Sequence, residues 1–307
     1  MAKRSKFDPT SSPTLFEMSP LEETEKPTNE VAKSRPYDLP NIYLGTSSFT
    51  ADGWAGKFYP KGLKTTDYLT HYSKIFRCVE IDSTFYATPA ATAVNSWRRK
   101  TPADFVFAAK VPKIITHEKV LKDCDAEFQE FRERMSLLNE KLGPMLFQFP
   151  LFSKYEFKTG EDFLQRLRSF LAKLPQSPVH QFAVEIRNQG WLDERFLDTL
   201  REHSVALALT DASFVARPWE SRKPLDWITS DFLYVRWLGH RKQIETITTT
   251  WDQVVLDRTG DLKTWVSFLR NMVLDKRLRK LFAFANNHYA GFAPATIQQF
   301  YELWKDK

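Results

Sequence analysis

Short apolar runs rich in Val, Ile, Phe and Tyr recur along the chain from Ile42 onward, separated by longer stretches in which apolar residues repeat at helical spacing. Eight runs predict strands: IYLGTS from Ile42, CVEID from Cys78, FVFAAK from Phe105, MLFQF from Met145, FAVEIR from Phe182, VALALTD from Val205, FLYVRWL from Phe232 and LFAFANN from Leu281. Between them TTDYLTHYSKIF, DAEFQEFRERMSLLNEKLG, GEDFLQRLRSFLAKL, DERFLDTLREH and GDLKTWVSFLRNMV read as helices, the second stopped by Gly143. PATIQQFYELW gives the last helix, with Pro294 in its first turn.

Eight strands alternating with helices over roughly 250 residues are the rhythm of a TIM (β/α)8 barrel, an α/β fold of one domain. The competing doubly wound sheet usually carries a Gly-rich turn after its first strand, and GTSSFTADGW is not G-x-G-x-x-G. Residues 1–38 differ from the rest, being rich in Pro, Ser, Thr, Glu and Lys without apolar periodicity. They predict a disordered N-terminal tail ahead of a domain spanning 39–307. Leu15, Phe16 and Met18 in that tail are a candidate docking motif.

Polar residues fall late in the runs. Thr46 and Ser47 follow the first, Glu80 and Asp82 lie in the second, Lys110 closes the third, and Gln148 lies in the fourth. Glu185 and Arg187 end the fifth, Asp211 the sixth, Arg236 lies in the seventh, and Asn286 and Asn287 close the eighth. In a barrel these strand ends converge on one face, where active sites are built. Residues two apart share a face of a strand, which joins Glu80 with Asp82, Glu185 with Arg187, and Tyr234 with Arg236. Buried charges must pair or bind something, and Lys110, Arg187 and Arg236 are the cations available to Glu80, Asp82, Glu185 and Asp211. A polar ring that only positions strands is the competing explanation.

Charge adds a modest bias. Residues 1–40 carry six basic and seven acidic side chains, which leaves 38 and 31 on the remainder, a surplus of seven that suits anionic ligands or weak nucleic-acid contact. Cys78 and Cys124 are too few for a disulfide framework. No apolar stretch predicts a membrane span or a signal peptide, so a cytoplasmic location without membrane contact is expected.

The stretches IYLGTSSF, VEIDSTFYATP, TPADFVFAAKVPKIITHEK, LGPMLFQFP, FAVEIRNQGW, YVRWLGH and FANNHYAGFAP, in this order, resemble the domain-of-unknown-function 72 family, the YecE-like proteins. The similarity covers Ile42 to Leu303. It implies a TIM barrel with no assigned activity, and it marks Glu80, Tyr86, Lys110, Thr116, His117, Gln148, Glu185, Arg187, Trp191, Asp211, Arg236, Asn286 and Asn287 as motif positions. Asp82 stands where the family pattern usually has Asn, Asn188 where it has His, and SSF replaces a Gly-Trp-like ending of the first motif.

The function expected is an enzyme binding a small anionic or polyhydroxylated substrate at the barrel mouth. Glu80, Lys110, Glu185 and Asp211 are the candidate catalytic residues; Tyr86, His117, Gln148, Arg187, Trp191, Arg236, Asn286 and Asn287 are candidates for binding substrate. Arg187 and Arg236 would clamp a phosphate or carboxylate. A metal-dependent hydrolase, nuclease or isomerase using Glu80, Glu185 and Asp211 with His117 or His288 is an alternative, although no H-x-H or H-E-x-x-H spacing supports it. A non-enzymatic nucleic-acid or protein-binding module is another, resting on RRK at 98–100 and DKRLRK at 275–280. No cofactor fingerprint is present, and the sequence requires none.

Overall fold

The computed structural model describes residues 35–175, 180–213, 215–221 and 223–306. Eight parallel strands run β1 (Ile42–Thr46), β2 (Cys78–Ile81), β3 (Val106–Lys110), β4 (Leu142–Gln148), β5 (Phe182–Glu185), β6 (Ala206–Ala212), β7 (Phe232–Gly239) and β8 (Lys280–Ala285). Each coincides with an expected apolar run. Among the described residues the α-helices are α1 (Tyr68–Tyr72), α2 (Ala91–Arg99), α3 (Asp125–Ser136), α4 (Gly160–Leu171), α5 (Glu194–Glu202), α6 (Arg241–Glu245), α7 (Thr259–Met272), α8 (Asn287–Ala290) and α9 (Ala293–Lys305). Hydrogen-bonded neighbours follow the order β1, β8, β7, β6, β5, β4, β3, β2, which is the circular order of a TIM barrel.

The circle is completed between β1 and β2 by a side chain. The Tyr72 hydroxyl at the end of α1 accepts from the Thr46 amide (2.9 Å) and reaches the Cys78 carbonyl (3.1 Å). Gly45 makes the approach feasible, because a Cβ there would lie 2.2 Å from the Cys78 carbonyl oxygen.

Alternation along the strands divides the core in two. Tyr43, Cys78, Ala108, Leu146, Ala183, Ala206, Ala208, Phe232, Tyr234, Phe282 and Phe284 form a cluster of their own inside the barrel. Alanines on β3, β5 and β6 offset the rings of β1, β7 and β8, so small and large residues fill the cross-section together. The alternate set, including Val79, Phe107, Phe147, Val184, Leu209, Val235 and Trp237, packs under the helices.

Two boundaries differ from the expected ones. Gly143 does not stop a helix: α3 ends at Ser136, and Gly143 lies within β4. A Cβ there would sit 2.5 Å from Val106 Cγ1, and the β3/β4 register shifts beside it, so the glycine serves close strand approach. Residues 35–38, assigned above to the tail, pack on the domain. Arg35 is buried, donates to both oxygens of Asp104 (2.6 and 2.7 Å) and to the Ser73 carbonyl (2.8 Å), and Tyr37 stacks on Phe76. The rest of the expected tail, with its docking motif, lies outside the described residues.

Candidate functional site

The last inward-facing layer of the barrel carries Glu80, Lys110, Gln148, Glu185, Thr210 and Arg236, each two residues beyond a member of the interior cluster. Arg236, 2% exposed, occupies its centre. It donates from Nε (2.9 Å) and Nη2 (2.7 Å) to Glu80 and from Nη1 (2.5 Å) to Glu185 Oε2. Tyr234 Oη, one layer below, donates to Glu80 Oε2 at 2.6 Å. Both carboxylates are fully buried. Burial pushes the Glu185 carboxyl up, but Arg236, Arg187 and Lys110 more than offset it and hold it below the ordinary carboxylate range. Glu185 is thus a fixed anion at neutral pH. Arg236, expected as half of an anion clamp, is instead engaged by two carboxylates.

Two buried anions against one cation leave a negative surplus, which Arg187 and Lys110 balance from above. Arg187 is half-buried, with Nε 3.4 Å from Glu185 Oε1. Lys110 Nζ lies 3.3 Å from Asp82 Oδ1 and 4.1 Å from the centre of the Phe85 ring. Asp82 itself is partly open to water. Glu80 and Asp82 therefore do not act as twins. Glu80 lies within β2 and faces inward, whereas Asp82 opens the 3-10 turn Asp82–Phe85 and belongs to the mouth.

His117 approaches the same cations. It sits on a single π-helical turn, Ile114–Glu118, followed by positive φ at Val120 (45°), Leu121 (62°) and Asp123 (49°). A β-branched residue in that region is strained, and both strain and π turns concentrate at functional sites. The ring bonds Thr116 Oγ1 through Nδ1 (2.9 Å) and meets Phe85 edge-on. Burial, with Lys110 and Arg187 adding to it, lowers its pKa to about 4, so the imidazole is neutral at physiological pH.

Other expected site residues lie elsewhere or serve the scaffold. Asp211 is not brought together with Glu80 and Glu185. It pairs in register with Trp237 and faces the helices, where Trp265 Nε1 (2.7 Å), Tyr289 Oη (3.1 Å) and Arg217 Nε (3.2 Å) donate to it. The inward position on β6 belongs to Thr210. A cleft of about 480 Å3 opens beside Asp211, between Arg217, His240 and Arg258. Trp191 stacks on Phe152 and Phe163 as part of an aromatic cluster, and Gly160 clears space for its ring. Gln148 is buried and donates to the Phe149 carbonyl. Tyr86 is 75% exposed. Asn286 caps α8, accepting from the His288 amide, and Asn287 Oδ1 accepts from Trp54 Nε1 and the Ala293 amide. Asn188, at the position of the family's usual His, accepts from and donates to the Phe152 backbone at 2.9 Å each, fastening the loop after β4 to the loop after β5.

Among the described residues no three His, Cys, Asp or Glu side chains are grouped so as to hold a metal ion. Glu80 and Glu185 already share Arg236, and Asp211 points away. No helix among the described residues is long and apolar enough to cross a membrane.

Comparison with known proteins agrees with the architecture. The family model described as "Protein of unknown function DUF72" matches residues 43–307. The chain is 36% identical over 184 residues to UPF0759 protein YecE of Escherichia coli O157:H7, a match covering 54% of this chain and 64% of that protein. It is 28% identical over 165 residues to UPF0759 protein YunF of Bacillus subtilis (strain 168), covering 51% and 54%. Matched regions thus span less than two thirds of these relatives' length. A crystal structure of a DUF72 family protein from Thermotoga maritima MSB8 superposes with a TM-score of 0.64 at 29% identity, covering 86% of this chain and 99% of that one. A second, from Enterococcus faecalis V583, shares the fold at TM-score 0.62 and 20% identity, covering 88% and 99%.

Proposed function

The chain belongs to the family of proteins of unknown function DUF72, and from that premise we propose that it is an enzyme taking a small anionic, hydroxyl-bearing substrate at the C-terminal mouth of the barrel. Arg187 and Lys110 receive the anion, and the Lys110 and Asp82 pair moves the protons.

The observation that carries this reading is the layering of charge. Glu80, Arg236 and Glu185 are paired out of water and keep one negative charge in excess. A purely structural network of that charge needs a single further cation. Here a second ionisable layer of Arg187, Lys110, Asp82 and His117 lies over the first and nearer the solvent. Glu185, held ionised, orients Arg187 through its Nε. A guanidinium so fixed matches a carboxylate or phosphate edge. Asp82 accepts a proton from a substrate hydroxyl or carbon acid, and Lys110, 3.3 Å away, donates one to the oxygen that gains charge. Neutral His117 supplies a hydrogen bond without adding charge to the site.

A thermal-melting screen of carboxylates, phosphates and sugar phosphates tests the reading. A ligand at a hundredfold excess over its Kd adds about 2.7 kcal/mol to native stability. For a domain of this size that raises Tm by roughly 5 to 10 °C. Arg187→Ala is expected to keep a cooperative transition and lose the ligand-induced rise. If no anion moves the wild-type transition, the mouth is structural and the proposal is wrong.

A further inference from the structure

Beside the charged layer, at the junction of β1, β2 and β8, lies a small cavity of about 100 Å3 lined by Thr46, Ser47, Trp54, Asp82, Asn286 and Asn287. Most polar groups around it are satisfied. Thr46 Oγ1 is within 2.6 Å of the Ser48 carbonyl, to which it donates, and Trp54 Nε1 donates to Asn287 Oδ1. The exceptions belong to lining residues. Ser47 is 3% exposed, yet its Oγ has no hydrogen-bond partner. Asp82 Oδ1 is buried without a hydrogen bond, although Lys110 Nζ (3.3 Å) and Arg236 Nη2 (3.8 Å) are near. Since both Asn286 and Asn287 use their oxygens as acceptors, their Nδ2 groups are donors, and among the described residues neither has a protein acceptor. Buried polar atoms are normally paired, so two unpaired ones on the lining of one cavity, beside two available amide donors, point to an occupant.

The occupant's chemistry follows from the mixture. A carboxylate or phosphate would be repelled by Asp82. An ammonium would satisfy Asp82 but would face Lys110 and two amide donors. A hydroxyl donates to Asp82 and accepts from an asparagine Nδ2 at once, and a second hydroxyl serves Ser47. At about 30 Å3 per water-sized group, the volume holds roughly three such groups, the space of a terminal diol.

We propose that this cavity is a hydroxyl subsite that seats the diol end of the substrate, which makes the substrate a sugar acid or sugar phosphate with its anion toward Arg187 and Lys110. The inference rests on the anion reading given above, and it adds the orientation and the polyol character. Asp82 Oδ1 would thereby serve both Lys110 Nζ, 3.3 Å away, and the substrate hydroxyl.

Three six-carbon probes separate the two ideas: gluconate carries the anion and hydroxyls, sorbitol the hydroxyls alone, and hexanoate the anion alone. Apparent affinities are read by calorimetry and melting on the wild type, Asp82→Asn, Ser47→Ala and Arg187→Ala. Gluconate is expected to bind at least about tenfold more tightly than hexanoate, since a hydrogen bond to a charged group is worth that factor or more. Asp82→Asn is expected to erase that advantage, and Ser47→Ala to reduce it while leaving the unliganded Tm within a few degrees. Equal binding of gluconate and hexanoate, or an advantage that survives Asp82→Asn, overturns the diol subsite while leaving the anion site standing. Equal binding of gluconate and sorbitol, unaffected by Arg187→Ala, overturns the anion site. Absence of binding by all three overturns both.

Discussion

Removing the guanidinium of Arg236 tests the buried layer directly. Arg236→Met keeps the unbranched stem as far as the position of Nε and deletes the donors that hold Glu80 and Glu185, two carboxylates with no exposed surface. Breaking a buried pair by deleting one partner costs about 3 to 5 kcal/mol, because the remaining charge stays desolvated. For a domain with 5 to 15 kcal/mol of stability the variant should still fold, with Tm lowered by roughly 6 to 20 °C. The pH dependence gives the sharper signature. In the wild type the Glu185 carboxyl is held below its ordinary value, so its stabilisation is present above that ordinary value and is lost as pH falls through the folded pKa. Without Arg236 the sign reverses. A carboxyl raised by burial is tolerated when protonated, and the variant should lose stability as pH rises. Urea unfolding at pH 5.5 and pH 8 checks both statements, with Arg236→Met closer to the wild type at the lower pH. A loss below about 1 kcal/mol at pH 8, or a deficit independent of pH, would refute the view that Glu185 depends on Arg236 for its charge. Adding Glu80→Gln and Glu185→Gln to Arg236→Met should restore part of the loss.

Two further outcomes follow from the scaffold. Tyr72→Phe leaves the Thr46 amide and Cys78 carbonyl without their bridge inside the core and should cost about 1 to 3 kcal/mol; chemical denaturation with an unchanged m-value measures it, and a neutral substitution would mean that another group spans the gap. His117 takes up no proton in the folded chain until about pH 4, whereas a free histidine does so near 6.5, so its contribution is present above pH 6.5 and is lost as pH falls toward 4. His117→Gln should therefore show a shallower decline of Tm across that window than the wild type, and parallel profiles would contradict the buried neutral imidazole.

The barrel was legible because each strand is a short apolar run and each polar residue falls at its end, a pattern that local sequence carries by itself. The site was legible as a set of strand ends and less so as a set of partners. Period-two alternation does connect Glu80 with Arg236, since Cys78 and Tyr234 precede them on the inward face. The same rule applied strictly from Ala206 and Ala208 selects Thr210 and rejects Asp211, whose place at the end of the run conceals its outward parity. Trp191 has no such local signal, because its partners Phe152, in the loop after β4, and Phe163, on α4, meet it only once the chain is folded. Gly143 was ambiguous for a related reason: a glycine required by a neighbouring strand looks like a glycine that ends a helix. Ser47 and Asp82 gain their interest from unpaired atoms, which only the folded chain reveals.

Eight strands in a closed circle would ordinarily have eight ladders, and the described residues show seven, the gap falling between β1 and β2. That gap is a seam, and a seam is where a barrel breathes. No ladder joins β1 to β2 among the described residues, and the Thr46 amide donates to the Tyr72 hydroxyl instead, so hydrogen exchange should begin along this join. Ser47 follows β1 and Asp82 follows β2, which places the cavity at the upper end of the seam. A molecule that hydrogen-bonds to both would act as an additional rung, and its arrival would be recorded as slower exchange along two strands whose backbones it never touches.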